Sequence, residues 1–453
     1  MYTYIVKYPC RLHHSRKWRQ SLNALDSNLN SLFFTEVYVK KSRLLENIFS
    51  MVTLRAMEYI LSFILVPYLL RVLGPAQYGA IAFMQGIIGY FNICITYGFN
   101  MTAPRDIAQA KEKDIPRLFS TYFWSTVLLW VGVTVLFFAG YGVLQTVWSV
   151  KLDLPLFFAV YTSIIGLVIF PIWYFQGIQE MRYITILNMV GRFVTMGLIF
   201  LFVRNPSDYI LAALLQSCTP LFAGILCWKV IHDMSPGILH RPVWSDMKKA
   251  YKEGWQIFLS TLAINLYTTS DVVILGVLTN DTIVGYYSGA DKLIGCIKRA
   301  VGAVNDAVYP YISKVMQESR ERGIQFLRKQ LMVYTVCGVV GGVVLYLLSP
   351  WGIPLLLGPK YIPSIGPLQI MSFVPLVVAM SNVMGYETML PLGMEKIYSK
   401  VLLVASVFNL AIIYPLISWG GAEGTSWAVF CTETLVTVMM VGILWKKHIL
   451  IRN

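Results

Sequence analysis

The chain has 453 residues, of which 57% are hydrophobic, 14% aromatic and only 13% charged, and its mean hydropathy is +0.62. Soluble domains run near 45–50% apolar and about 25% charged, so a soluble enzyme, a disordered regulator and a secreted disulfide scaffold are all disfavoured. One number pulls the other way: 37 Lys+Arg against 23 Asp+Glu give a net charge of +14, which in a soluble chain would point to nucleic acid. The placement of those cations decides between the readings.

Residues 1–46 are basic and polar, and lack the apolar run of roughly 7–15 residues that a signal peptide needs. Membrane insertion would then rely on the first span as an uncleaved signal. The stretch suits a solvated tail, a lipid-binding extension or an over-called translation start.

From there on, apolar segments recur. A bilayer core of about 30 Å takes roughly 20 apolar residues per helix. Segments at 47–70, 79–99, 118–141, 154–175, 184–203, 209–228, 254–278, 283–306, 331–355, 365–390, 401–419 and 424–445 meet that length. The expected fold class is therefore all-α and polytopic, with about 12 transmembrane helices in two six-helix lobes around a central cavity. Residues 47–235 would form the N-lobe and 236–453 the C-lobe.

An even number of spans puts both termini on one side. The loops on that side hold 28 of the 37 cations, whereas the opposite loops hold four: Arg71, Lys151, Arg204 and Lys360. The positive-inside rule places both termini in the cytoplasm. The basic charge is then a topological signal, and nucleic acid drops out as a partner.

The halves echo each other. Val72-Leu73-Gly74-Pro75-Ala76-Gln77-Tyr78-Gly79 joins spans one and two, and Val277-Leu278-Thr279-Asn280-Asp281-Thr282-Ile283-Val284-Gly285 joins spans seven and eight. Each has a short turn and a glycine near the start of the next span, at an offset of 205 residues at the Val and 206 at the Gly. Two halves of like orientation form a parallel repeat, an architecture of secondary transporters.

The seven cysteines (Cys10, Cys94, Cys218, Cys227, Cys296, Cys337, Cys431) form no C-x-x-C pair, and all but Cys10 lie in apolar spans. They read as small buried hydrophobes rather than disulfides or metal ligands. The five histidines fall outside the spans. No metal or cofactor is expected.

The remaining five cations, Arg55, Arg192, Lys292, Lys298 and Arg299, sit inside spans. Ionisable groups at bilayer depth are costly and usually face a cavity. Span one carries Arg55 and Glu58 on one helical face, span seven Asp271, span ten Glu387 and span twelve Glu433. Span eight carries Asp291, Lys292, Lys298, Arg299 and Asp306, whose heptad spacings make a polar band down one side. Plainer readings stand beside these. Arg55 and Glu58 suit a mutual ion pair, Lys298 and Arg299 can snorkel to headgroups, Asp306 suits the interface, and Glu433 suits neutralising a neighbouring helix. A net-positive band facing a charged first span nevertheless exceeds what packing requires, and suits an anionic head group gripped by Arg and Lys. Interleaved carboxylates Glu58, Asp271, Asp291 and Glu387 suit uptake of a proton or Na⁺.

The runs Leu45-Glu46-Asn47-Ile48-Phe49-Ser50, Val66-Pro67-Tyr68-Leu69-Leu70-Arg71, Tyr97-Gly98-Phe99-Asn100 and Ala103-Pro104-Arg105-Asp106-Ile107-Ala108 closely resemble the oligosaccharide flippases of the Wzx type. These belong to the polysaccharide transport branch of the superfamily that includes the multidrug-and-toxin exporters. Gly285-Tyr286-Tyr287-Ser288-Gly289-Ala290-Asp291-Lys292-Leu293, Tyr309-Pro310-Tyr311-Ile312-Ser313 and the Leu357–Tyr361 turn resemble the same family. The likeness runs from about Leu44 to the C-terminus; the first 40 residues depart from it.

The resemblance implies a carrier, not an enzyme. Its substrate would be an undecaprenyl-diphosphate-linked oligosaccharide repeat unit, moved across the bacterial inner membrane with coupling to protons or Na⁺. Partners would include the polysaccharide polymerase and chain-length proteins. Arg55, Arg192, Lys292, Lys298 and Arg299 would hold the anionic substrate, and Glu58, Asp271, Asp291 and Glu387 the coupling ion. Competing readings are a multidrug exporter, a peptidoglycan-precursor flippase, which commonly carries two further spans, and a polyprenyl-dependent glycosyltransferase or polymerase. The last needs a polar catalytic loop or an acidic pair, and the chain contains no D-x-D. If the start is over-called, N-terminal mass spectrometry of the native protein will find its first residue near Lys40; a peptide from residues 1–39 would show the tail to be translated.

Overall fold

A computed structural model describes residues 57, 60–148, 152–447 and 449. Every regular element among the described residues is helical. Among the described residues, eight helices are long and apolar enough to cross a membrane. Two of them, Ile60–Gln109 and Glu395–Lys446, have 50 and 52 residues. At about 1.5 Å per residue these would reach roughly 75 Å, more than twice the hydrocarbon thickness, if straight. Left-handed glycines divide them: Gly74 (φ 76°) and Gly98 (φ 80°) in the first and Gly421 (φ 52°) in the second. Glycine enters that region without the Cβ clash other residues meet, so a helical hairpin turns with almost no loop. The resulting helices are α1 (60–73) and α2 (75–96), and, at the other end of the chain, α12 (395–420) and α13 (422–446).

Between them run α3 (Phe99–Gln109), α4 (Ile115–Trp148), α5 (Leu154–Gly177), α6 (Met181–Phe202) and α7 (Tyr209–Met234). Then come α8 (244–278), α9 (Asp281–Glu318), α10 (Arg320–Leu356) and α11 (Pro359–Met389). The helices α8 and α9 are also long enough to span but carry the intramembrane charges that lower their apolarity. The set is compatible with twelve crossings, α3 being the one helix that instead connects two of them. Pro171 interrupts α5, where Phe170 leaves the helix (ψ 90°), because proline supplies no N–H and crowds the preceding turn. Leu136, Met332, Trp351 and Trp419 are among many large apolar side chains left exposed, as expected where the outer surface meets lipid rather than water.

The two halves meet along α2. Its glycines lie against α8 and α9: Gly89 beside Thr269, Gly86 beside Val273, and Gly79 beside the Asp281 carbonyl and Gly285 nitrogen. The contact at Gly79 is symmetric. A Cβ on Gly79 would strike the backbone four residues before Gly285, and a Cβ on Gly285 would strike the carbonyl of Pro75, four residues before Gly79. The repeat glycines read from the sequence are thus one crossing point, where backbones touch because neither residue has a side chain.

The two ends of the bundle are tied differently. At the cation-poor end, Arg71 donates from Nε to the Leu356 carbonyl (3.0 Å) and from Nη2 to the Leu355 carbonyl. These are orphan carbonyls at the C-terminus of α10, where a cation also meets the negative end of the helix dipole. At the basic end, Arg105 bridges Asp106 (2.7 Å) and Glu253 (3.0 Å), and Arg117 grips Asp246 through two nitrogens (2.6 and 3.0 Å). Tyr122 donates to Asp106 (2.5 Å) and Tyr97 stacks on Phe258. The Arg105-Asp106 pair of the sequence motif therefore serves to fasten α3 and α4 to α8.

Gly79→Ala and Gly285→Ala should each cost about 1–3 kcal/mol by overpacking a backbone contact that cannot yield sideways. The check is thermal unfolding in detergent; melting temperatures equal to that of the unaltered protein would show that the crossing is looser than its backbone contacts imply.

Candidate functional site

Three polar features are enclosed by the helices. The first lies in the second half. Asp271, Tyr287, Asp291, Lys298, Asn409, Thr432 and Glu433 line a cavity of about 50 Å³. Asp271 and Tyr287 are buried, as are Asn409 and Thr432, while Asp291, Lys298 and Glu433 are half-buried. Asp271 stands in the first turn after the break at Thr269 in α8, Asn409 comes from α12, and Thr432 and Glu433 come from α13. Asn409 donates through Nδ2 to Thr432 Oγ1 (3.2 Å), which itself donates to the Ala428 carbonyl (2.7 Å). The same amide lies within hydrogen-bonding reach of the Asp271 carboxyl, while Asn409 Oδ1 and Asp271 Oδ1 accept no hydrogen bond. The cavity therefore gathers hard oxygen acceptors and three carboxylates around one lysine, a set suited to a proton or a small monovalent cation.

The other sequence-predicted residues are dispersed. Asp291 and Arg299 both lie within electrostatic reach of the buried Tyr78 hydroxyl, at the α2–α9 seam. Arg299 is exposed and Lys292 half-buried; neither lines the small cavity. The polar band of α9 thus splits, with Lys298 joining the carboxylates while Lys292 and Arg299 stay outside that space. Glu433, read from sequence as a simple counter-charge, belongs to the cavity. Arg192 sits half-buried in α6, one turn past Asn188. Arg55 and Glu58 lie outside the described residues.

Glu387 forms a second feature, with Gln330 and Tyr334 of α10 close to its carboxylate. It occupies a π-helical turn, Gly385–Met389, that ends α11. Its carboxylate is wholly buried, with neither oxygen hydrogen-bonded. Thr388 donates back to the Val383 carbonyl (2.7 Å), which holds the turn open by one residue. Such turns cost helix geometry and often mark functional positions.

The third feature was not expected from the charges. A cavity of about 460 Å³ opens in the first half, lined by α2, α3, α4, α5, α6 and α7. Its polar lining consists of Gln85, Asn92, Thr96, Asn100, Thr126, Ser163, Asn188, Gln216 and Ser217, with Trp173 and Phe170 at one wall. Its lining contains no charged side chain. A search for ionisable groups cannot find it; the visible signal was the polar stripe Gln85, Asn92 and Thr96, which recurs on one face of an apolar helix, with Asn100 following in the next.

This arrangement has counterparts among solved structures. An inward-facing multidrug resistance MATE family transporter of the MOP superfamily superposes with a TM-score of 0.69 at 12% identity, over 86% of this chain and 94% of its own. The lipid II flippase MurJ in an inward closed conformation gives 0.67 at 12% identity, over 89% of each chain. The fold is therefore that of the MATE and MurJ transporters, a multi-pass membrane protein. Residues 44–316 match the family model described as polysaccharide biosynthesis protein, and the chain belongs to that family. A protein of Escherichia coli (strain K12) named "Putative O-antigen transporter" is 29% identical over 416 residues, 91% of this chain and 99% of its own length. Its namesake in Shigella dysenteriae is 25% identical over 397 residues, 87% of this chain and 98% of its own.

Lys298→Met should lower the melting temperature by leaving three carboxylates in one small space without a cation, and Asp271→Asn in the same chain should restore part of the loss. A double-mutant cycle should read a coupling of about 1–3 kcal/mol. Additive effects would show that the two side chains do not share a field.

Proposed function

We propose that the protein is a flippase that carries an undecaprenyl-diphosphate-linked oligosaccharide repeat unit from the cytoplasmic to the periplasmic leaflet of the bacterial inner membrane. It works by alternating access of two lobes, residues 47–235 and 236–453, with both termini in the cytoplasm. Ion movement drives the cycle. The observation that carries this reading is the cluster of buried Asp271 with half-buried Asp291, Lys298 and Glu433 around one small cavity, in a chain related over nearly its full length to O-antigen transporters. A membrane bundle does not gather four ionisable groups around unpartnered oxygen acceptors for packing alone.

In this scheme Asp271, Asp291 and Glu387 take up the proton or Na⁺, with Asn409 and Thr432 completing the oxygen set around Asp271. Glu58 joins them from span one. Arg299 and Lys292, with Arg55, grip the lipid diphosphate, while Arg192 and Lys298 supply further positive potential. The polyprenyl tail remains in the bilayer throughout, so only the head group crosses between the lobes. Ion binding at Asp271 neutralises a buried charge whose cost differs between the two lobe arrangements, and that difference is what couples ion flow to the swing. The polysaccharide polymerase and chain-length proteins take over the repeat unit on the far side.

A multidrug exporter has the same fold. Cationic drugs would favour an acidic, aromatic binding space, whereas the large cavity here is uncharged. A deletion in the host separates the two readings: loss of long-chain surface polysaccharide, with lipid-linked repeat units accumulating on the cytoplasmic face, is the expected result. Normal polysaccharide with lost drug resistance would establish the exporter instead. At the level of residues, Arg299→Ala and Asp271→Ala should each abolish complementation at unaltered membrane levels, and full complementation by both would remove these assignments.

A further inference from the structure

We propose that the uncharged cavity of the first half is the subsite for the sugar residues of the substrate, and that it selects neutral sugars. The inference rests on the flippase reading and adds to it where the carbohydrate goes. It follows from the chemistry of the lining. Five amide side chains, Gln85, Asn92, Asn100, Asn188 and Gln216, converge on one space from α2, α3, α6 and α7. An amide offers both donor and acceptor, as a sugar hydroxyl does, and so satisfies it whichever way the hydroxyl turns.

The amides are prepared for a ligand rather than for each other. Among the described residues the side chains of Gln85 and Asn92 make no hydrogen bond, only the Asn92 main-chain carbonyl accepting from the Thr96 side chain (2.8 Å). Asn188 and Gln216 each use only the NH₂ group, donating to the carbonyl four residues earlier on their own helices (2.9 and 3.3 Å). Those bonds hold each side chain along its helix and leave Oδ1 and Oε1 as acceptors. Buried Trp173 forms part of the wall and supplies the apolar face against which a pyranose ring can lie.

The size and the absence of charge narrow the ligand. A volume of about 460 Å³ lies in the range of small-molecule sites, about 300–1,000 Å³. An apolar drug or a lipid tail would leave the amides unpaired, a loss that polar-lined sites use to reject ligands lacking hydroxyls. An anionic sugar would find no cation in the lining and would lose its hydration without compensation. Neutral hexoses and N-acetylhexosamines meet neither obstacle. The head group is then divided: diphosphate toward the cations of α9, sugars toward the amides of the first half.

The test compares binding of two lipids to the full-length protein in nanodiscs. One is undecaprenyl diphosphate; the other is the repeat-unit lipid extracted from a host lacking this transporter. The unaltered protein should prefer the repeat-unit lipid, and Asn92→Leu combined with Gln216→Leu should cut that preference at least tenfold, since two hydrogen-bonding side chains are lost. An unchanged preference, or no preference in the unaltered protein, overturns the sugar subsite. Binding of neither lipid by the unaltered protein overturns the flippase reading as well, so the two failures are distinguishable. Should the double variant not fold, Ser163→Cys gives a second measurement. Repeat-unit lipid should protect the introduced thiol from maleimide where undecaprenyl diphosphate does not, and equal or absent protection overturns the proposal.

Discussion

The contact on which the architecture turns is the crossing of α2 and α9 at Gly79 and Gly285. Two helices normally pack with axes about 8–10 Å apart, a separation set by their side chains. Here each glycine admits the other helix's backbone, and the same carbonyl four residues back meets each of them. A substitution on either side would push the halves apart where they are closest. Each glycine meets the backbone four residues before the other, so the crossing is reciprocal. Arg71 reinforces it nearby by satisfying carbonyls of α10.

That crossing makes α2 a shared wall. One face of the helix carries the glycines that meet α8 and α9, and another carries Gln85, Asn92 and Thr96 into the large cavity. Tyr90 reaches across to Ser270, one residue before Asp271, with the two hydroxyl oxygens 2.5 Å apart. The uncharged cavity of the first half and the ionisable cluster of the second are thus joined through a single helix and its partner. A displacement of α8 at the Thr269 break would be felt on both sides, which is the mechanical requirement for coupling an ion to a cargo.

The charges illustrate how far a linear reading reaches. Asp271 stood out because no partner was available on its own helix, and it does line the ionisable cavity, with Asn409 and Thr432 brought from more than 130 residues away. Lys292, Lys298 and Arg299 looked like one band because helical spacing puts them on a common side. The neighbouring helices divide that side, so that Lys298 is gathered with carboxylates and Arg299 is left exposed. Glu387 appeared as one more membrane carboxylate, yet its position in a π-helical turn depends on how α11 ends, which periodicity does not encode.

By itself the sequence determined the solvent and the class of structure. Apolar length against bilayer thickness requires helices, and the spaced glycines marked where two of them would cross. Each of these is a local or compositional property, governed by transfer free energies that act on every residue independently. What only the tertiary structure decided is which side chains share a space. The cavity of amides is assembled from six helices, and neutral polar residues in an apolar span carry no mark of whether they face lipid, a neighbour or a void. Only packing, by leaving about 460 Å³ unfilled around them, turned scattered Asn, Gln and Ser into a site.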